Sequence, residues 1–79
     1  MWYIYILKCK DGSLYTGITT DVSRRFNEHK NKTGGHYTRS HPVQSILYIE
    51  KAKTQSKALK REYEIKNLKR EEKIKLIKN

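Results

Sequence analysis

Two short segments near the N-terminus, Tyr3-Ile4-Tyr5 and Tyr15-Thr16-Gly17, flank a Lys10-Asp11-Gly12-Ser13 turn. Arg25 and His29 follow, one helical turn apart, and a lone carboxylate, Glu62, stands later among apolar helix positions. Tyrosine hydroxyls, an arginine, a histidine and a semi-buried carboxylate form a kit for phosphodiester hydrolysis. Arginine stays charged and clamps phosphate oxygens bidentately. Histidine orients water or relays a proton near neutral pH. One carboxylate, completed by phosphate oxygens and waters, makes a reasonable Mg2+ (or Mn2+) site. Phenols ionise only near about pH 10, so Tyr5 and Tyr15 need a nearby cation if they are to act.

Each of these residues also has a plainer reading. Glu62 pairs with Lys66 one turn on, or sits wet at the edge of its stripe. Arg25 snorkels beside Phe26. His29 is half-buried and hydrogen-bonded, and the tyrosines pack as ordinary strand residues. Gly17 either lets backbone approach a phosphate or marks a bulge. His36, Tyr37 and Arg39 suit contact with a strand or phosphate, or belong to a solvated loop.

The elements that must position this kit are legible in outline. Residues 2–9 are rich in β-branched and aromatic side chains and read as a strand, with 14–19 as its partner. The turn decides the chemistry. A two-residue loop puts Tyr5 and Tyr15 on opposite faces of the sheet, whereas a three-residue loop with a glycine bulge puts them on one face. Thr20 or Asp21 caps a helix running to about Lys30, whose Val22, Arg25, Phe26 and His29 share one face. Arg24, Glu28 and Lys30 point elsewhere. Residues 31–42 carry turn formers without a period and read as an exposed basic loop with His36, Tyr37, Arg39 and His41. Gln44 to Glu50 is a third strand. Thr54 caps a second helix through about Leu68, with Ala58, Leu59, Glu62, Ile65 and Lys69 on its inward stripe. A third helix near 70–78 offers Ile74 and Ile77, with Glu71 and Glu72 in the first turn where the helix dipole favours acids. An unpaired charge buried at Glu62 costs on the order of several kcal/mol, so a cation or strong donors must meet it.

Seventy-nine residues make one domain, spanning residues 1–79. A chain of this size buries about 60% or slightly more of its unfolded surface, so the core is thin. Eighteen Lys+Arg against eight Asp+Glu leave a net charge of +10, a field that attracts polyanions, nucleic acid before anionic membrane. The lone Cys9 excludes an internal disulfide framework and a multi-cysteine zinc site, and fits a reducing compartment. No apolar run approaches the roughly 18–20 residues of a membrane span, and the first residues lack the flanks of a signal peptide. A cytoplasmic location is expected.

Taken together, the tyrosine pair, Gly17, Arg25, His29 and Glu62 resemble the GIY-YIG nuclease superfamily, and most closely its small standalone members. Tyr3-Ile4-Tyr5 stands where that family has Gly-Ile-Tyr, and Tyr15-Thr16-Gly17 where it has Tyr-Ile-Gly. Arg25 and His29 follow at the spacing of the family's first helix, and Ala58-Leu59-Lys60-Arg61-Glu62 matches the helix that presents its metal-binding glutamate. The resemblance runs from Trp2 to Ile77 and implies an α+β fold: a three-stranded antiparallel sheet flanked by helices, in β-β-α-β-α-α order. It also implies an endonuclease that hydrolyses DNA phosphodiester bonds at a single Mg2+. Tyr5, Tyr15, Arg25, His29 and Glu62 would be catalytic, with Glu62 the metal ligand. Gly17, Arg24, His36, Tyr37 and Arg39 are taken as nucleic-acid contacts.

Two departures matter. Tyr3 replaces the family's first glycine, and Asn67 is a candidate for the family's later asparagine by its proximity to Glu62 alone. Larger members attach separate DNA-binding domains. This chain carries none, so low intrinsic affinity is expected, with structure rather than sequence preferred and a repair or recombination partner supplying specificity. RNA remains an open substrate. The competing reading is a non-catalytic nucleic-acid-binding module that keeps the fold.

Overall fold

Residues 2–9 are apolar at nearly every position because the strand they form is covered on both sides. The computed structural model describes residues 1–31 and 41–78. Its elements are β1 (Trp2–Cys9), β2 (Leu14–Thr19), α1 (Val22–Lys30), β3 (Val43–Ala52), α2 (Gln55–Lys66) and α3 (Arg70–Lys78). The strands form one antiparallel sheet in the order β2-β1-β3, so β1 is central. The expected α+β architecture and element order are therefore present.

Alternate residues of β1 feed two cores. Ile4 and Ile6 pack with Ala58 and Ile65 of α2 and with Leu76 and Ile77 of α3. Tyr5, Leu7 and Cys9 face the other way, packing with Val43, Tyr15, Ile46 and Phe26 of α1. Complete burial of a Leu or Ile side chain stabilises by roughly 1.5–3 kcal/mol. Ile4, Ile6, Leu7 and Ile65 are all fully enclosed, so the central strand anchors both layers.

The hairpin resolves the question left open by the sequence. Cys9 N–H donates to the Ser13 carbonyl at 2.9 Å, and Gly12 N–H donates to the Cys9 carbonyl at 3.0 Å, closing a loop over residues 10–12. Gly12 sits at φ +87°, a left-handed conformation that glycine adopts without side-chain strain. The three-residue loop sets Leu7 opposite Tyr15 and Tyr5 opposite Gly17. Tyr5 and Tyr15 therefore share a face. The turn is braced from outside. Asp11 accepts from the Ser13 backbone at 3.0 Å and pairs with His41 at 2.7 Å, Arg70 donates to the Gly12 carbonyl at 2.9 Å, and Lys10 N–H donates to the Pro42 carbonyl at 2.8 Å.

Helix ends follow side-chain chemistry. Of the two possible caps for α1, Asp21 is the one used: its carboxylate accepts from Arg24 N–H at 3.0 Å. Thr54 caps α2 in the same way through Lys57 N–H. Three expectations for α2 are corrected. The helix ends at Lys66, where Asn67 caps it, two residues before Leu68. Leu59 is 48% exposed rather than inward. Lys69 likewise lies beyond the helix and is exposed. The buried positions are Ala58 and Ile65, and the intervening inner positions Arg61 and Glu62 are half-buried.

Candidate active site

Register brings the two phenols together. Tyr5 and Tyr15 ring centroids are 6.3 Å apart, and His29 of α1 lies 6.0 Å from the first ring and 5.2 Å from the second. The Tyr5 hydroxyl is 2.9 Å from His29 Nε2, with both side chains buried. Gly17 accounts for this closeness. A Cβ placed there would stand 2.5 Å from Tyr5 Oη and 3.2 Å from Tyr15 Cε2, so the Tyr5 ring fills the space a side chain would take. The glycine is explained by ring packing.

Helical period delivers the remaining groups from α1. Phe26 enters the core, and Arg25 and His29 flank it on the same face. Glu28 was expected to point away from that face, yet its carboxylate accepts from Arg25 Nη1 at 3.1 Å. An i,i+3 acid–base pair of this kind is readable from spacing. Arg24 is exposed and engages the cap through its backbone only, off the shared face.

Electrostatics assign protons. Burial raises the Tyr5 phenol to about 12, helped by Tyr15 and by the Glu62 charge, while Arg25 opposes the rise as donor and as cation. Burial, then the Arg25 charge, lowers the His29 pKa, with Glu28 acting in the other direction. Near neutral pH Tyr5 is therefore protonated and His29 uncharged. Arg25 carries only donors and acts on the Tyr5 oxygen as donor and cation, while the Tyr5 hydroxyl and His29 Nε2 share a hydrogen bond.

Glu62 arrives from α2, on the opposite side of the sheet. Its side chain is 19% exposed and pairs with Lys66 Nζ at 3.4 Å. Its tie to the phenols is electrostatic, since its charge contributes to the Tyr5 shift. Of the two readings of Glu62, the i,i+4 pair with Lys66 is the one formed. No group of three or more His, Cys, Asp or Glu forms a metal cage among the described residues. A single half-buried carboxylate fits a hard cation that keeps most of its waters and takes further oxygens from a phosphate.

His36, Tyr37 and Arg39 lie outside the described residues. Asn67 donates its side-chain amide to the Tyr63 carbonyl at 2.7 Å and so serves the end of α2. A network that spacing had not revealed joins α2 to β3. Glu50 accepts from Tyr48 at 2.6 Å and from Arg61 at 2.9 Å. The cleft of about 190 Å³ between the hairpin turn and α3, lined by Leu14, Leu47, Arg70 and Ile77, stands apart from the tyrosines.

A central strand and its hairpin partner each presenting a tyrosine to one helix, with arginine and histidine on that helix, define a class of nuclease-type domain. The chain belongs to the GIY-YIG catalytic domain family, whose pattern residues 1–75 match. It is similar to a UPF0213 protein of Staphylococcus saprophyticus, 52% identical over 95% of this chain and 92% of that one. A UPF0213 protein of Staphylococcus epidermidis is 48% identical over the same shares. The solution structure of the UPF0213 protein from Bacillus halodurans superposes with a TM-score of 0.62 at 42% identity, covering 99% of this chain and 84% of that one. No helix among the described residues is long and apolar enough to cross a membrane.

Proposed function

We propose that this protein is a metal-dependent endonuclease that hydrolyses DNA phosphodiester bonds, preferring nucleic-acid structure over sequence. The observation that carries the reading is the convergence of Tyr5, Tyr15, Arg25 and His29 on one sheet face, with the Glu62 charge felt at Tyr5. Glu62 would hold Mg2+ or Mn2+. A divalent cation there supplies charge neutralisation at the phosphate and an acidified water.

The chain's own residues divide the remaining work. Arg25 binds a non-bridging oxygen and steadies the charge that grows in the phosphorane. Tyr5, buried and held protonated, orients its neighbours rather than acting as a base. Tyr15 is only half-buried and is the phenol that meets substrate. His29 fixes the Tyr5 hydroxyl. Cytoplasmic residence and a role in DNA repair fit this chemistry and the basic surface.

A second reading draws on one specific observation. Both groups that catalysis needs free are engaged in ion pairs, Arg25 with Glu28 and Glu62 with Lys66. A module that binds nucleic acid without cutting it could keep such pairs closed. Incubation with branched, nicked and single-stranded DNA, with Mg2+ or with chelator, separates the two. Chelator-sensitive cleavage, lost in folded Glu62→Ala and Arg25→Ala variants, is expected. Binding without cleavage would favour the second reading.

A further inference from the structure

The outer flank of α2 carries two apolar side chains in water. Tyr63 is 71% exposed and Leu59 48% exposed, one helical turn apart. Isolated exposed apolar residues are ordinary. This pair differs in what surrounds it and where it lies.

Its position follows from helix geometry, in which each residue advances about 100°. Measured from buried Ala58, Arg61 lies about 60° to one side, while Glu62, Lys66, Leu59 and Tyr63 lie at about 40°, 80°, 100° and 140° to the other. Arg61 bonds to Glu50 of β3, so its flank faces that edge of the sheet. The order β2-β1-β3 puts the opposite flank toward the β2 edge, the strand that carries Tyr15 and Gly17. Glu62, Lys66, Leu59 and Tyr63 thus form a continuous stripe leading outward from the candidate site.

Charge identifies the occupant. Lys60 stands a turn before Tyr63 and Lys66, paired with Glu62, a turn after it, both exposed on a chain of net charge +10. An aromatic face between two cations suits a polyanion that carries flat bases. Bases inside a duplex are already stacked and cannot reach such a face, whereas an unpaired base can. We infer that the Leu59–Tyr63 flank of α2 is a stacking platform for an unpaired nucleobase of single-stranded or branched DNA. This rests on the nuclease reading for its substrate class, but not on catalysis.

The test measures anisotropy of a labelled single-stranded oligonucleotide and its blunt duplex, both with chelator so that binding is read without cutting. Base–aromatic stacking is worth about 1–3 kcal/mol, so Tyr63→Ala should weaken single-strand binding roughly 5- to 150-fold while changing duplex binding less than about twofold. Tyr63→Phe and Tyr63→Trp should bind single strands like the wild type. Equal losses on both ligands, or no loss, would overturn the platform, as would failure of the wild type to bind single strands. Cleavage of branched DNA by the wild type in Mg2+ is scored separately. Cleavage with an unaffected Tyr63→Ala affinity sinks the platform and leaves the nuclease reading intact. Selective loss of single-strand binding without any cleavage does the reverse.

Discussion

A methyl group at position 17 would meet the Tyr5 ring, whose strand is pinned by hydrogen bonds on both edges. Gly17→Ala should therefore cost about 1–3 kcal/mol in a urea titration, as overpacking does, and abolish cleavage more completely than that loss explains. The Tyr5–His29 pair makes stability depend on pH at both ends. His29 binds a proton less readily when folded, so the unfolded chain carries the extra proton in acid. Stability is full above the unfolded value of about 6.5 and falls as pH drops below it. Tyr5 behaves in the opposite range. The unfolded phenol ionises first, so stability falls as pH rises from about 10 toward about 12, by roughly 2–3 kcal/mol in all. Urea midpoints across pH should show the acid limb flattened in His29→Asn and the alkaline limb reduced in Tyr5→Phe. The shared face of Arg25 and His29 was legible from a 3.6-residue period. The role of Gly17 was not, because it depends on which residue lies opposite it across the sheet.

Hairpin length governs which elements meet. The loop over residues 10–12 keeps Tyr5 and Tyr15 on one face, and deletion of Gly12 should leave a two-residue loop that moves one of them to the other. That deletion should eliminate cleavage, while Gly12→Ala, strained at φ +87° but register-neutral, should cost about 1 kcal/mol and keep activity. Denaturation and nuclease assays on the two variants check both halves. Asp21→Ala should remove the α1 cap for about 1 kcal/mol, lowering the urea midpoint. The sequence located all six elements, because caps and periods are local signals. It erred on Leu59, since which flank of an amphipathic helix turns inward is settled by distant partners. Here Arg61 on Glu50 and the small Ala58 against Ile4 and Ile6 rotate Leu59 outward. It missed the Tyr48–Glu50–Arg61 network for the same reason.

For the molecule as a whole, a surplus of ten positive charges should make any binding to nucleic acid strongly ionic. Binding of any strand should weaken linearly in log–log terms as salt rises, with Lys60→Gln reducing the slope by about one contact on single and double strands alike. Charge was plain from composition, but its arrangement around α2 required the fold. One enclosed atom gives the molecule a gauge of its own integrity. The sulfur of Cys9 has no solvent exposure, at the end of the central strand where the hairpin and β3 close over it, and burial raises its pKa. A thiol so placed is inert toward alkylating reagents until that end of the sheet parts. Because the chain has no other cysteine, the rate of labelling clocks how often the layers that hold the two phenols come open.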